Sequence, residues 1–507
     1  MTRTPLTVLA PELTALFDAA GLTAAGVAGH LGPDFTEAMH RGEPAAVRYV
    51  TSDGSTLSRL IRVFILRDAV PATELADLVG ASLTTRLLDS GAAVSDLHGT
   101  VRMALDIRPH VIVGVNRWVF SDADASMTPH VPGPDHVLGV GAASLSLLQS
   151  TPVTPVGSAL DLGTGSGVQA LGQFGLAESI TATDVHPRAL DLAEATFAGA
   201  DARVELLQGP WFEPVAGRTF DRIVANPPFV VGLPEVGHVY RDSGLNLDGA
   251  SELVVSQAPG YLAPGGTAHL LAAWVHTHDQ SWAQRVASWL PDRGVAAWVI
   301  ERDVADPAHY VGTWLRDESI DPRSPEAAAR TEAWLAHFAE HGVIGIGFGF
   351  VAIRNIGDEP SDILAESMPQ TFSDPLGPEV EEYFARTAWL RDRSAQELAD
   401  ATFLTRPGLA RENIAVADKD AGVGFAPAAL RLTRTDGPRW SHDVDEHLAA
   451  VVSGLHPQGL SLAETVGLYA MANGLDEDEL VQAAVPAVVD LIRHGLVLPA
   501  ELAELVE

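Results

Sequence analysis

Two short stretches carry residues whose types and spacing could do chemistry. In the first, the apolar run Ser158-Ala159-Leu160-Asp161-Leu162 leads into Gly163-Thr164-Gly165-Ser166-Gly167, with glycine at every second position. Glycine admits backbone conformations closed to other residues and lets a ligand lie against the main chain. The run therefore predicts a strand, a ligand-holding turn and a helix over Val168 to Phe174. Its G-x-G-x-G spacing is not the G-x-G-x-x-G of dinucleotide binders. A second strand, Ile180-Thr181-Ala182-Thr183-Asp184, ends on a carboxylate suited to a bidentate grip on two ribose hydroxyls. In the second stretch, Ile223-Val224-Ala225 runs into Asn226-Pro227-Pro228-Phe229. The prolines fix φ and offer no N–H, and a residue before proline is driven to an extended conformation. A stiff loop results, on which the Asn226 side-chain oxygen and a nearby carbonyl can accept both hydrogens of an NH2 group. Phe229 is placed to stack on a flat substrate, as aromatic rings do.

Asn-Pro-Pro-Phe alone is an ordinary strand-ending turn; it gains weight from its order after the glycine loop and Asp184. In that order the sequence resembles the class I S-adenosylmethionine-dependent methyltransferases, within them the branch that methylates amino or amide nitrogens on planar groups. Gln208-Gly209-Pro210-Trp211-Phe212-Glu213-Pro214 adds a likeness to the release-factor glutamine-N5 methyltransferases, with N6-adenine enzymes in the same branch. The resemblance covers roughly Val137 to Arg354. It implies S-adenosylmethionine as cofactor, with Asp161 towards its methionyl amino group and Gly163, Thr164, Gly165, Ser166 and Gly167 along its backbone side. Asp184 would take the ribose, Trp211 the adenine, and Asn226 the region of the methyl group. The same likeness makes Asn226, Pro227, Pro228 and Phe229 catalytic. The loop beyond them is placed to border the substrate, where Tyr240 and Arg241 either contact it or pin the loop down. A protein glutamine side chain is the first choice of acceptor. The alternative is an exocyclic amine, adenine N6 or guanine N2 of RNA or DNA, turned out of its stack. Phe229 favours that alternative, because the glutamine enzymes usually carry Tyr there. A third reading is a binding protein that keeps the fold without activity.

The elements that must position these residues alternate regularly. Strands are predicted near 158–162, 179–184, 203–207, 220–226, 267–273, 295–301 and 345–354, with helices over 167–175, 187–198, 249–261 and 280–290. Repeated β-α units of this kind give an α/β, doubly wound, mostly parallel seven-stranded Rossmann-like sheet with its ligand at the carboxyl ends of the strands. Asp303 to Gly342 reads as an insertion with one helix, Ser324 to His341. Before the sheet, His136 to Gln149 is a helical pattern expected to close over the cofactor, with Gly139 and Gly141 either near it or allowing close packing. Three domains are expected: 1–135, helical and possibly a winged helix; 136–355, the methyltransferase domain; and 356–507, acidic and mainly helical. In the first, Leu57, Leu60, Ile61 and Phe64 share a helical face, and two strands joined at Gly99 are expected over Ala93 to Val94 and Thr100 to Ile107. Arg59, Arg62, Arg67 and Arg86 there are a recognition face or merely solvated surface. Asn355 to Asp374 reads as a linker.

Composition narrows the partners. The chain of 507 residues has no cysteine, which excludes disulfides, thiolate chemistry and cysteine-based zinc sites. Trp274-Val275-His276-Thr277-His278-Asp279 lacks a third distant ligand, so no metal is expected. The formal charge of −34 lies mostly at the C-terminal end, where residues 301–507 hold 15 basic against 36 acidic side chains. Nucleic-acid binders usually show a basic footprint, and only the N-terminal third approaches one. A macromolecular partner, protein or RNA/DNA, is expected, and no membrane. No run reaches the 18 apolar residues of a membrane helix, and the first residues lack the apolar core of a signal peptide, so a cytoplasmic location is expected.

Overall fold

Glycine and proline punctuate the N-terminal helices as the sequence requires: Leu6–Ala19, Ala24–Leu31, Pro33–His40 and Pro44–Val50. The computed structural model describes residues 5–128, 133–200, 202–234, 242–318 and 320–505. It divides into two compact units, Met1–Leu148 with Val153–Ser367, and Gln149–Pro152 with Met368–Glu507. In the first unit the helix expected over 55–64 runs only from Thr56 to Leu60, capped by Ser55, and continues as a π turn over Ile61–Ile65. Leu60, Ile61, Val63, Phe64 and Ile65 are all buried and pack within the N-terminal core, and Arg62 alone of the turn carries a charge. Strand β1 (Val70–Pro71), helices Ala72–Val79 and Ala81–Ser90, and strands β2 (Ala93–Ser95) and β3 (Thr100–Met103) follow, with β3 between β1 and β2. The single strand expected over 100–107 is broken at Ala104. Its second half belongs to a separate hairpin, β4 (Leu105–Ile112) and β5 (Val115–Asp122).

The main sheet uses β6 (Val156–Leu162), β7 (Ala177–Asp184), β8 (Glu205–Gln208), β9 (Phe220–Ala225), β10 (Leu262–Thr277), β11 (Arg293–Ala305), β12 (Val343–Pro360) and β13 (Asp362–Ser367). Their order is β13-β11-β12-β10-β9-β6-β7-β8. Only β12 runs antiparallel to its neighbours, so the sheet is mostly parallel and doubly wound. It has eight strands rather than seven. The stretch read as a linker from Asn355 instead extends β12 to Pro360 and forms β13, where Ile363 and Ala365 pack on the core and Trp298 Nε1 donates to Glu366 at 2.7 Å. The insertion also carries a second, unforeseen helix, Pro307–Asp317, begun by Asp306, whose side chain accepts from the Ala308 and His309 amides. It packs with Pro325–Glu340 over Val230 and Val231.

The second unit has helices Gly377–Arg391, Ala395–Asp400, Glu446–Gly454, Leu462–Asn473 and Glu477–Arg493. Between and after them lie five short strands: β14 (Phe403–Thr405) pairs β18 (Val497–Pro499), and β15 (Ala410–Ala417), β16 (Phe425–Thr433) and β17 (Ser441–Asp443) form an antiparallel sheet. Its interior holds buried ions. Arg386 bridges Glu379 and Glu382, Arg434 meets Glu379 at 2.8 Å and Arg406 meets Glu382 at 2.7 Å.

Two glycines of β12, Gly347 and Gly349, are forced by their neighbours. A Cβ on Gly349 would lie 1.7 Å from the Ile300 carbonyl oxygen, and one on Gly347 would meet Trp274 and Glu301 at 2.3 Å. Gly349→Ala should destabilise the first unit by about 3 kcal/mol, the upper range for overpacking, read as a lower urea midpoint in tryptophan fluorescence.

Candidate active site

Strand register builds the site. Leu162 of β6 pairs with Thr183 of β7 and with Ala225 of β9, so the next residues, Gly163, Asp184 and Asn226, leave the sheet side by side. Gly163 and Thr164 both donate their amides to the Thr183 carbonyl, at 3.0 and 2.8 Å, which folds the glycine loop over β7. Gly163 and Gly165 have φ of +74° and +55°, and a Cβ on either would project into open space above the loop. Gly167, at φ +89°, is needed for another reason: a Cβ there would strike Phe197 at 2.7 Å.

Above the loop is a cavity of about 630 Å³ whose wall includes Gly163, Thr164, Gly165, Ser166, Asp184, Trp211, Asn226, Pro227 and Pro228. This size is typical of a small-molecule site. Asp184 accepts from the Gly165 amide through Oδ2 and the His186 amide through Oδ1, both at 2.9 Å. Burial pushes its carboxyl above the usual range. Trp211 is held at φ +49° and packs its ring partly against the sheet core. Asn226 donates from Nδ2 to Ser144 Oγ over a long 3.4 Å, which leaves Oδ1 without a partner among the described residues. The covering segment is pinned from both sides, by Ser166 Oγ donating to the Leu138 carbonyl at 2.7 Å and Gln169 Nε2 to the Ser144 carbonyl at 2.9 Å. Gly139 and Gly141 both line the cavity, and Gly139 also closes on Ser121, whose Oγ an added Cβ would meet at 2.8 Å.

Three expected site residues are placed away from the wall. Asp161 is buried beneath the loop, where Oδ2 accepts from Thr164 Oγ1 at 2.7 Å and the Ala170 amide at 2.9 Å, while Oδ1 has no hydrogen-bond partner among the described residues. Burial pushes its pKa up to about 7. Gly167 lies under the loop against Phe197, and Phe229 packs on the cluster around Tyr310 and Val231. Tyr240 and Arg241 lie outside the described residues. His276 hydrogen-bonds Glu301 at 2.6 Å.

The sequence reading missed one wall entirely. Asp106, Arg108, His110, Val119, Ser121 and Asp124, from the β4–β5 hairpin and the turn after it, line the same cavity. In the hairpin Asp106 pairs with Ser121, Arg108 with Val119 and His110 with Arg117, so one face is mostly polar. The other face puts Leu105, Ile107, Trp118 and Phe120 into the N-terminal core. Arg108 contacts Asp106 at 2.8 Å and Asp124 at 3.4 Å. Burial raises Asp106 to about 6 and lowers His110 to about 4. The period-two alternation from Leu105 to Val111 was the available signal; Pro109 and a Val113-Gly114 turn masked it.

A mostly parallel sheet with a glycine loop and a carboxylate at adjacent strand ends defines a nucleoside-binding Rossmann-like enzyme. Residues 138–276 match the family described as "Methyltransferase small domain". Residues 19–104 and 381–499 match two families described as domains of unknown function, DUF7059 and DUF7782. A release factor glutamine methyltransferase of Bordetella pertussis is 34% identical over 207 residues, 38% of this chain and 72% of that protein. One of Moorella thermoacetica is 33% identical over 195 residues, 36% of this chain and 58% of that one. Among solved structures, a T. thermophilus 16S rRNA N2 G1207 methyltransferase in complex with AdoMet and guanosine gives a TM-score of 0.27 at 18% identity, over 42% of this chain and 56% of that one. The chain belongs to the same family as the glutamine enzymes, and it is an S-adenosylmethionine-dependent methyltransferase.

The cavity fits that cofactor in three respects: open space over Gly163 and Gly165, a carboxylate beside them, and an aromatic ring at the far wall. Asp161 carries its charge only above about pH 7. A cation bound over the loop favours the carboxylate, so binding releases a proton below that pH. The affinity for S-adenosylhomocysteine should rise about tenfold between pH 6 and pH 8 by that linkage, read by calorimetry. Asp161→Asn should abolish most of the rise, and Asp184→Asn, by removing a charge that helps to raise Asp161, should reduce it.

Proposed function

We propose that the protein methylates the side-chain amide nitrogen of a glutamine in a protein substrate. The observation that carries this is Asn226: a side-chain amide on a proline-stiffened strand end, turned by Ser144 so that its oxygen is left as a free acceptor on the cavity wall. An amide nitrogen has its lone pair delocalised and is a weak nucleophile, so positioning must supply much of the catalysis. Asn226 Oδ1 and a neighbouring backbone carbonyl take the two hydrogens of the substrate NH2, and Pro227 and Pro228 keep that frame rigid. S-adenosylmethionine, when bound, supplies an electrophilic methyl group. Asp184 would hold the ribose hydroxyls with its remaining lone pairs, Trp211 would pack by the adenine, and the Gly163 to Ser166 backbone would hold the remainder. Asp161 acts from below, holding the loop through Thr164 and Ala170. Phe229 anchors the loop to the insertion through the Tyr310 cluster, and the Tyr310 hydroxyl accepts from the Val231 amide at 2.7 Å. No strong base is called for, because a nitrogen that has gained a methyl group sheds its proton readily.

The relatives at 34% and 33% identity, named release factor glutamine methyltransferases, support this acceptor. The four arginines expected as a recognition face or solvated surface are engaged internally. Arg59 contacts Glu74, Arg62 donates to Thr51 and the Arg48 carbonyl, Arg67 donates to the Asp124 carbonyl, and Arg86 pairs with Glu12.

Asn226→Ala should lower methyl transfer by about a hundredfold or more, as loss of substrate positioning does, while S-adenosylhomocysteine binding changes little. The acceptor is tested by transferring labelled methyl into a lysate split between nuclease and protease treatment, then into purified release factors. Label removed by protease alone is expected; label removed by nuclease alone would overturn the glutamine assignment.

A further inference from the structure

The helix Pro325–Glu340 ends with His337 and Glu340, and His341 follows as its C-cap. The three residues stand at i, i+3 and i+4, on one side of the last turn. One ligand atom from each lies within 4.8 Å of the other two, and the imidazole centroids are 4.4 Å apart. Such spacing is common on exposed helices; the state of the two rings adds an independent reason to read it as a site. His337 Nε2 lies 2.7 Å from Asn246 Oδ1, and His341 Nδ1 lies 2.9 Å from the His337 carbonyl oxygen. Both oxygens only accept, so these two ring nitrogens carry the protons. The lone pairs of the neutral rings are therefore at His337 Nδ1 and His341 Nε2. Metal-binding imidazoles are held in this manner, one N–H fixed on an oxygen and the opposite nitrogen free.

We propose that His337, Glu340 and His341 form a binding site for a divalent transition-metal ion of the zinc class. Two imidazole nitrogens and one carboxylate suit Zn²⁺, Co²⁺ or Ni²⁺ rather than the all-oxygen preference of Ca²⁺ or Mg²⁺. Glu340 is exposed, so its carboxylate is free to rotate towards the two imidazoles, and zinc bonds nitrogen and oxygen at roughly 2.0–2.2 Å. Three protein ligands leave a position for water. The site is joined to the region beside the active centre through Asn246. The next residue, Leu247, donates its amide to the Gly232 carbonyl at 2.9 Å, and Trp334 and Phe338 of the same helix pack on Val230 and Val231. An ion here ties the end of the insertion helix to the base of the segment that brings Asp242 and Ser243 to the cavity.

The test uses the full chain without a histidine tag, stripped with EDTA, dialysed and titrated with ZnCl2 by calorimetry. One equivalent should bind with a dissociation constant of about 10 µM or tighter, and the double variant His337→Ala/His341→Ala should lose at least about tenfold in affinity, as loss of ligands does. Glu340→Gln, an exposed and nearly isosteric change, should weaken binding without altering S-adenosylhomocysteine affinity in the metal-free protein. Co²⁺ should give visible absorption bands that vanish in the double variant. Zinc affinity unchanged in both variants, or no binding at about 100 µM ion, would refute the site, since imidazole–carboxylate sites fill at that level.

Discussion

A single row of residues across three parallel strands fixes the active centre. Ala225, Leu162 and Thr183 stand in register, and Asn226, Gly163 and Asp184 follow them out of the sheet. A one-residue slip would move a strand by about 3.3 Å and turn its side chains to the opposite face. The register is locked at the far end of the same strands by polar clamps. Asp221 Oδ2 accepts from the Ser158 amide at 2.8 Å and hydroxyl at 2.9 Å, and the Asp221 amide returns a bond to Ser158 Oγ at 3.0 Å. Buried Arg222 reaches Gln173 and Thr154. Ionic and polar groups are thus spent on alignment at one end of the sheet so that chemistry is possible at the other.

That alignment concentrates unfavourable features in a small volume. Two carboxylates, Asp161 and Asp184, are pushed up by burial, and Asp184 adds to the shift of Asp161. The loop between them holds Gly163 and Gly165 at positive φ, and Trp211 is one of five non-glycine residues at positive φ among the described residues. Perturbed acids and strained backbone gather where a ligand compensates for them. A bound cation and two ribose hydroxyls are the compensation this pair of acids is suited to take, which is why a pH-dependent cofactor affinity follows from the geometry.

What the sequence made legible was whatever depends on local backbone chemistry. The glycine loop, the strand-end Asp184 and the proline-stiffened Asn226 are short, ordered along the chain and constrained by φ, and the structure brings them to one cavity. Gly167 and Phe229 have the right types at the right spacing, yet their roles are decided by Phe197 and Tyr310, which are distant in sequence. The β4–β5 hairpin was hidden because Pro109 interrupts its alternation and its turn is Val113-Gly114 rather than Asn-Gly. Strand β13 was hidden because Asn355 to Asp374 has the composition of a linker, and only its parallel pairing with β11, from Asp362 opposite Ala296 to Ser367 opposite Glu301, makes it a strand.

The hairpin changes what the N-terminal segment contributes. Its charges are arranged to cancel: Arg108 faces Asp106 and Asp124, and Arg67 reaches the Asp124 carbonyl and lies 4.0 Å from its carboxylate. A wall whose cations are already paired gives a phosphate little to bind, because nucleic-acid affinity rests chiefly on unpaired Lys and Arg. It suits an uncharged group that is recognised by hydrogen bonds and shape. The excess of acids over bases along the whole chain, 66 against 32, works in the same direction. On the proposed glutamine reading, substrate choice would be set twice, once by Asn226 at the reacting nitrogen and once by a neutralised wall that gives polyanions little to bind.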